Sequence, residues 1–157
     1  MDKNRIYLKN NEGSFNYRVA ALIIDKNKLL VAKNIDHPVF YTIGGGVNMN
    51  ETSEEAVIRE VVEETGLKLE IDKLAYIQER FLELNGEKCH EVVFFYIMDT
   101  NKEIKILENS FTDQGNKETL HWFPLEQLKN TNLVPEFLKH KLMKNISGIE
   151  HIVSKEY

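Results

Sequence analysis

Runs of apolar residues along the chain predict a series of strands, each bounded by turn residues. The run at residues 92–98 is the most strand-like, and the run at 15–25 has the pattern of a strand that becomes buried on both faces. Asn85-Gly86 separates two of the runs and is a strong hairpin signal. The runs predicted to be strands are residues 15–25, 29–32, 38–43, one or two segments within 68–82, 92–98, 120–123 and, at a sheet edge, 149–153.

A central helix is predicted between Ser53 and Gly66. Thr52 and Glu55 have the spacing of a capping box, and Gly66 fits the left-handed residue that ends a helix. Successive residues of an α-helix are 100° apart around its axis, and at this spacing the side chains form one apolar arc and one acidic arc. The apolar arc, predicted to pack on the core, contains Val57, Ile58, Val61 and Val62. The acidic arc, predicted to bind, contains Glu60, Glu63 and Glu64.

The second half of the chain predicts a terminal helix and few other regular elements. Residues 135–145 have helical spacing with a proline in the first turn, and residues 124–128 fit one helical turn. Residues 99–117 are polar and are read mainly as a loop, with a short strand at 104–107. Strands interrupted by one helix and followed by another predict a single α/β domain, with a mixed sheet and helices on both faces.

Composition indicates a soluble globular protein and disfavours binding to a nucleic-acid polymer. Of the 157 residues, 42% are apolar and 29% are charged, and the net charge of −5 provides no excess of basic residues for a phosphate backbone. The single cysteine, Cys89, excludes an intrachain disulfide and fits a reducing compartment. No run reaches the length of a membrane span and no signal peptide is evident, so we expect a cytoplasmic protein that does not bind a membrane.

The acidic arc points to a metal and a phosphate-bearing substrate. Glu60, Glu63 and Glu64 repel one another unless a cation lies among them, and Mg²⁺ or Mn²⁺ takes oxygen ligands from carboxylates and phosphates. The glycines at residues 44–46 are expected to end the preceding strand in a tight turn. Without β-carbons, the backbone at this turn would approach a bound ion closely.

The spacing of these residues resembles the Nudix box. The residues that match its specified positions are Gly45, Glu51, Arg59, Glu60, Val61, Glu63, Glu64, Gly66 and Leu67. The chain is therefore similar to Nudix hydrolases, and the order of strands and the terminal helix extend the resemblance over most of its length. The resemblance implies the Nudix α/β/α sandwich with a mixed central sheet and a catalytic loop-helix-loop.

The resemblance also implies roles for individual residues. Gly44, Glu60, Glu63 and Glu64 would hold one to three Mg²⁺ or Mn²⁺ ions that bridge a diphosphate and activate a water. Arg59 would pair with Glu51 and hold the loop against the helix. The residues expected to take part in catalysis are Glu60, Glu63, Arg59 and Glu118. The general base stays open among Glu60, Glu63 and an acid of the later loop, for which Glu118 is preferred over Asp113 and Glu108.

Several residues outside the box are candidates for substrate binding. Glu79 and Arg80 are expected to face His90 and Glu91 across the Asn85-Gly86 hairpin, where a subset of Nudix proteins has a similar pairing. Arg18 and Tyr41, with neighbouring Tyr17 and Phe40, lie on strands that in the family border the base or sugar site. Ordinary packing is the competing interpretation for these aromatic residues. His121 and Trp122 are also interpreted as packed or exposed residues and not as site residues. Glu54 and Glu55 are interpreted as acids of the first helical turn that the helix dipole favours.

The resulting prediction is a metal-dependent pyrophosphohydrolase that cleaves a nucleoside diphosphate linked to another moiety. ADP-ribose or a nucleotide sugar and nucleoside triphosphates, including oxidised forms, are the candidate substrates, and a homodimer is possible because many relatives are dimers. A non-catalytic domain that senses a nucleotide is the alternative. An isomerase of isopentenyl diphosphate type would need a cysteine in the pocket, and Cys89 is the one candidate.

Overall fold

The computed structural model describes residues 4–106 and 118–157, which form a mixed sheet with short helical segments. The strands are β1 (Tyr7–Asn10), β2 (Gly13–Leu22), β3 (Ile24–Asp25), β4 (Lys28–Asn34), β5 (Phe40–Gly46), β6 (Ile71–Leu84), β7 (Glu87–Met98), β8 (Glu118–Pro124), β9 (Leu133–Val134) and β10 (Glu150–Lys155). The helices are α1 (Ser53–Thr65), α2 (Leu138–Lys141) and, between β8 and β9, a 3₁₀ helix (Leu125–Asn130). No helix within these two ranges is long and apolar enough to cross a membrane.

The sheet follows the order β10-β6-β7-β2-β5-β4-β3. The pairs β10–β6 and β2–β7 are parallel, whereas β6–β7, β2–β5 and β4–β5 are antiparallel, so the predicted mixed sheet is confirmed. Off this path, β1 pairs with β2, β8 with β4 and β9 with β5. The parallel β2–β7 pair joins the two halves of the chain and brings the box region beside the β6–β7 hairpin.

Two apolar cores cover the two faces of the sheet. On one face α1 contributes Ala56, Val57 and Val61. On the opposite face the 3₁₀ helix contributes Leu128, and α2 contributes Leu138. Because each core excludes water from one side of the same sheet, helical segments are held on both faces by apolar burial. The predicted α/β/α layering is therefore confirmed.

Helix α1 begins and ends as its sequence predicts. Thr52 Oγ1 accepts a hydrogen bond from the Glu55 backbone N–H at 3.1 Å, and a Glu55 carboxylate oxygen accepts from the Thr52 N–H at 2.9 Å. Gly66 has φ 74° and closes the helix. The Asn85-Gly86 hairpin is also confirmed, since both residues have positive φ, 53° and 80°.

The buried stripe of α1 differs from the predicted one. Ile58 is 39% exposed, although it lies on the predicted apolar arc. Glu60 and Glu64 are buried instead, and with Val57 and Val61 they form a stripe at helical spacing that faces the sheet. The helix therefore packs on the sheet partly through carboxylates, which places part of the acidic arc inside the molecule.

Three other expectations about the elements are wrong. Residues 44–46 do not break their strand, because β5 continues through them and pairs with β2. The helix expected over 135–145 has four residues, since the chain turns after Leu142 and Ile146 reaches the sheet edge, where its carbonyl accepts from Lys73 Nζ at 2.7 Å. Residues 104–106 form no strand, and the last residue of the predicted segment, Leu107, lies outside the described residues.

Candidate active site

The acidic arc of α1 and the glycines of β5 enclose one cavity of about 420 Å³, the acidic cavity. Its charged lining brings together four carboxylates and three guanidinium groups. The charged lining residues are Arg5, Arg18, Arg59, Glu60, Glu63, Glu64 and Glu118. Of the residues predicted from the box, those expected to bind metal all line this cavity, with Gly44 at its wall.

Gly44 and Gly45 of β5 must be glycines because other groups lie where a β-carbon would be. A β-carbon at Gly44 would lie 2.1 Å from the carbonyl oxygen of Val19, and one at Gly45 would lie 2.4 Å from Glu60 Oε1. The Gly44 N–H donates to Glu64 Oε1 at 3.2 Å. Gly44 therefore lets β5 approach the backbone of β2, and Gly45 lets the Glu60 carboxylate of α1 lie against the strand. An unbroken strand allows these approaches as well as a turn would.

Arg59 ties the box loop to the helix. Its Nε and Nη2 donate to the two carboxylate oxygens of Glu51 at 2.7 and 2.9 Å, so the expected ion pair is present. Nη2 also donates to the Gly46 carbonyl oxygen at 3.0 Å, and Nη1 donates to Glu60 at 2.7 Å and to Glu63 at 3.3 Å. The hydrogen bond from Arg59 holds the pKa of Glu51 below its ordinary value. Arg59 thus fixes the positions of Glu51 and Glu60 together.

Glu64 is the most perturbed carboxyl group in the cavity. It is 6% exposed, and burial, followed by the nearby charge of Glu118, raises its pKa to about 9. Burial also raises the pKa of Glu60, although the Arg59 hydrogen bond opposes that shift. Ionised carboxylates here are costly without a compensating cation, because burial removes their hydration and brings like charges together.

Glu118 joins this group from a distant part of the chain. It begins β8, and its Oε2 accepts a hydrogen bond from the Tyr41 hydroxyl, while Oε1 is buried without a hydrogen-bond partner among the described residues. Burial and Glu118 both raise the pKa of Tyr41, so the phenol stays protonated and remains a donor. Asp113 and Glu108, the weaker candidates from the same loop, lie outside the described residues.

The donor set of the cavity fits a hard divalent cation. Three features suit such an ion: the buried carboxylates of Glu60 and Glu64 with raised pKa values, a Glu118 oxygen without a hydrogen-bond partner in the described part of the chain, and the room that Gly45 leaves beside Glu60. Within residues 4–106 and 118–157, no three acidic, histidine or cysteine side chains already converge as a complete set of ligands. Each of three carboxylates has its own hydrogen-bond donor instead: Arg59 donates to Glu60, Tyr41 to Glu118 and the Gly44 N–H to Glu64.

A second cavity of about 350 Å³ adjoins the first, the side cavity. The two share Arg18, Tyr41, Thr42 and Gly44. The side cavity combines apolar residues with Gln78, Arg80 and Glu91. Arg80 is held there by Glu156, with hydrogen bonds of 2.5 and 3.0 Å, and by Glu91 at 3.5 Å. Arg18 Nε lies 3.9 Å from Glu91, so this carboxylate stands between two arginines.

Other predicted residues lie away from both cavities. Glu79 pairs with His151 at 2.7 Å and lines neither cavity, because alternate residues of β6 face opposite sides of the sheet and Gln78 and Arg80 take the side-cavity face. His90 does pair with Phe81 across the hairpin, but its ring stacks on that phenyl ring at 4.2 Å. It lines a separate surface cavity together with Cys89.

The aromatic candidates divide between packing and site. Tyr17 packs edge-to-face on Phe94 in the core, and Phe40 packs on Phe123, with ring centroids 5.5 and 4.7 Å apart. Trp122 packs against the core, and its Nε1 donates to the Ile106 carbonyl oxygen at 3.3 Å. Tyr41 alone among these aromatic residues lines both the acidic cavity and the side cavity.

Arg5 lines the acidic cavity and was not expected from the sequence. Its backbone pairs with Asn48, which places its side chain over Gly46, where a β-carbon would lie 2.1 Å from Arg5 Nε. A lone arginine before the first strand carries no local pattern, and only the pairing with the box loop brings it to the site.

Comparison with known proteins identifies a family. The sequence model of the NUDIX domain matches residues 15–143. A MutT-like protein of Streptomyces ambofaciens is 37% identical over 57 residues, a segment that covers 36% of this chain and 37% of that protein's length.

Solved structures show the same fold. The MutT protein from Bacillus halodurans aligns with a TM-score of 0.67 at 18% identity, covering 89% of this chain and 90% of that chain. A MutT NUDIX hydrolase from Burkholderia pseudomallei aligns with a TM-score of 0.55 at 28% identity, covering 71% and 84%. An ADP-ribose pyrophosphatase from Streptococcus suis aligns with a TM-score of 0.54 at 19% identity, covering 88% and 98%. Since the NUDIX domain model matches most of the chain, this chain belongs to the Nudix hydrolase family.

Proposed function

We propose that this chain is a metal-dependent pyrophosphohydrolase that cleaves a nucleoside diphosphate linked to another moiety. The observation that carries the proposal is the meeting of Glu60, Glu64 and Glu118 in one cavity, which shares lining residues with the side cavity. The acidic cavity suits a metal-bound diphosphate, and the side cavity has the mixed polar and apolar lining typical of a small-molecule site. Together they accommodate the two parts of such a substrate.

The Gly44 carbonyl oxygen and the carboxylates of Glu60, Glu63 and Glu64 are the groups that would hold Mg²⁺ or Mn²⁺. When bound, the cation would neutralise charge on the diphosphate and lower the pKa of the attacking water. Arg59 acts on the site through Glu60 and Glu51, since it holds both carboxylates by hydrogen bonds of 2.7 Å. It is therefore a positioning residue.

In the proposed hydrolysis a carboxylate takes a proton from water. The oxygen of water forms a bond to phosphorus, the phosphoanhydride bond breaks, and the departing phosphate takes the bridging oxygen. Glu118 is suited to accept the proton, because its Oε1 has no hydrogen-bond donor among the described residues while Tyr41 fixes Oε2. Glu60 and Glu63 are the alternatives, and each already accepts a hydrogen bond from Arg59.

The side cavity is proposed to hold the nucleoside or the group linked to it. Gln78, Arg80 and Glu91 offer hydrogen bonds, and Leu82 and Phe95 offer apolar contact. ADP-ribose, a nucleotide sugar and a nucleoside triphosphate each combine a diphosphate with polar and apolar parts. The similar structures include an ADP-ribose pyrophosphatase and a UDP-X diphosphatase, which makes diphosphate-linked nucleosides the first substrates to assay.

A panel of these nucleotides, incubated with Mg²⁺ or Mn²⁺ and assayed for phosphate after phosphatase treatment, tests the proposal. We expect metal-dependent turnover that falls at least about 100-fold in Glu64→Gln. Glu54→Gln, which removes an exposed acid in the first turn of the same helix, is the matched control and should retain turnover. Tight nucleotide binding without turnover in the wild-type protein would favour the non-catalytic sensing domain. Unchanged turnover in Glu64→Gln would refute the assignment of the metal site.

A further inference from the structure

We propose that Arg5 and Arg18 together bind the diphosphate of the substrate, with Arg5 supplied by the segment before β1. This inference rests on the proposed function and adds a residue that the Nudix box does not contain. Both guanidinium groups line the acidic cavity, and Arg18 also lines the side cavity. The pair therefore lies where the diphosphate must pass between the metal ligands and the remainder of the substrate.

The position of Arg5 is built into the fold. Its backbone pairs with Asn48, and the Ile6 N–H donates to the Val47 carbonyl oxygen at 2.9 Å, so the segment before β1 is fastened to the box loop. The side chain then crosses Gly46, where any β-carbon would lie 2.1 to 2.7 Å from three of its atoms. Gly46 thus leaves the room that Arg5 occupies, as Gly45 does for Glu60.

Arg5 lacks the partner that a half-buried guanidinium usually has. Its Nε is buried without a hydrogen bond, and no carboxylate in the described part of the chain forms an ion pair with it. Burial, followed by the nearby charge of Arg18, lowers the pKa of Arg5, although the charges of Glu60 and Glu91 oppose that shift. Within the described residues Arg18 forms an ion pair with Glu91, whose carboxylate lies 3.9 Å from its Nε.

An anionic ligand resolves this arrangement. Arg5 Nε has no hydrogen-bond partner among the described residues, and Arg18 lines the same cavity. A phosphate placed between the two guanidinium groups accepts charge-assisted hydrogen bonds from both. The same cavity presents carboxylates that need a cation. A diphosphate carrying a divalent cation satisfies both requirements at once, with its metal toward Glu60 and Glu64 and its free oxygens toward Arg5 and Arg18.

The test measures binding of methylenediphosphonate, a non-hydrolysable diphosphate, by calorimetry in the presence of Mg²⁺. Arg5→Met should weaken binding about 10- to 100-fold, the loss expected for charge-assisted hydrogen bonds, and Arg5→Lys should recover part of it. Mg²⁺ alone should bind Arg5→Met at least as tightly as wild type, because a positive charge has left the cavity. Lys9→Met is the matched control: it removes an exposed charge from β1, whose partner is Glu87, and should change neither measurement.

Three results would overturn the inference. They are wild-type affinity of Arg5→Met for the diphosphonate, absence of diphosphonate binding by the wild-type protein, and equal loss of Mg²⁺ and diphosphonate binding with a lower melting temperature, which would mark Arg5 as merely structural. The outcome is separable from the proposed function. Diphosphonate binding that depends on Arg5, without turnover of any nucleotide, would support this inference and contradict hydrolysis. Nucleotide turnover with an unchanged KM in Arg5→Met would support hydrolysis and contradict this inference.

Discussion

The carboxylate of Glu60 lies against Gly45 so closely that a β-carbon at residue 45 would come within 2.4 Å of Glu60 Oε1 and within 2.6 Å of Oε2. Strand β5 and helix α1 can therefore approach only because residue 45 has no side chain. The contact places a metal-binding candidate at the wall of the cavity, and it accounts for the first glycine of the Nudix box in steric terms.

Gly45→Ala should displace Glu60 and weaken Mg²⁺ binding, because the helix must shift or the carboxylate must rotate away. We expect at least a tenfold loss of Mg²⁺ affinity by calorimetry. Gly13→Ala is the control, since a β-carbon there would lie 2.4 Å from the Lys88 carbonyl oxygen, away from the cavity. It should lower stability without altering Mg²⁺ affinity; equal Mg²⁺ affinity in both variants and wild type would contradict the steric argument.

Arg59→Ala should lower the free energy of unfolding by about 2 kcal/mol, because it leaves Glu51 and Glu60 without their charged donor. Arg59→Lys should recover little, since an ammonium cannot donate to both oxygens of Glu51 in the same geometry. Urea unfolding measures both. Lys9→Ala removes an exposed ion pair with Glu87 and should leave the unfolding midpoint nearly unchanged. If the unfolding midpoint of Arg59→Ala changes as little as that of Lys9→Ala, the hydrogen bonds of Arg59 with Glu51 and Glu60 do not stabilise the fold.

The metal-free protein should become less stable as pH rises through the neutral range. Glu64 has a folded-state pKa of about 9 against an ordinary value of 4.5, so the folded state binds the extra proton between these values. The contribution is fully present below about pH 4.5 and is lost as pH rises toward 9. Melting temperatures in EDTA should fall over this window, and Glu64→Gln should flatten the slope. If the melting temperature of Glu64→Gln falls with pH as steeply as that of the wild-type protein, groups other than Glu64 cause the effect.

Tyr41→Phe should reduce turnover about tenfold while the fold remains stable, because it removes the hydrogen bond that orients Glu118. Steady-state kinetics and a pH–rate profile measure the effect, and we expect kcat to fall more than KM rises. Tyr17→Phe, which removes a hydroxyl from a ring packed on Phe94, is the control. If the two variants have the same kcat, Tyr41 does not position a catalytic group.

Cys89→Ala should retain metal-dependent hydrolysis. The thiol is 8% exposed and lines a surface cavity with Phe15 and Phe81 that shares no residue with the acidic cavity. The isomerase alternative requires a cysteine at the reacting centre, so complete loss of turnover in a folded Cys89→Ala variant would revive it. Circular dichroism checks that the variant is folded.

The elements that the sequence predicted best are governed by neighbouring residues. The capping box of Thr52 and Glu55, the left-handed Gly66 and the Asn85-Gly86 turn depend on backbone preferences within a few positions, and all three are present. Helical spacing likewise grouped Glu60 and Glu64 before any tertiary contact was known. The same spacing misjudged Ile58, because which arc of α1 is buried depends on the surface that the sheet presents.

The sequence by itself determined the Nudix box, and with it the family and the group of carboxylates that a metal and a diphosphate would require. Only the tertiary structure decided which other residues meet that group. Glu118 and Tyr41 were candidates from the family resemblance, whereas Arg5 was not expected. The three come from β8, β5 and the segment before β1, and no local pattern places them together. It also turned Glu79 away from the cavities while directing Arg80 toward one of them. The physical reason is that strand pairing sets which distant residues become neighbours and which face each side chain takes, and pairing depends on the whole sheet.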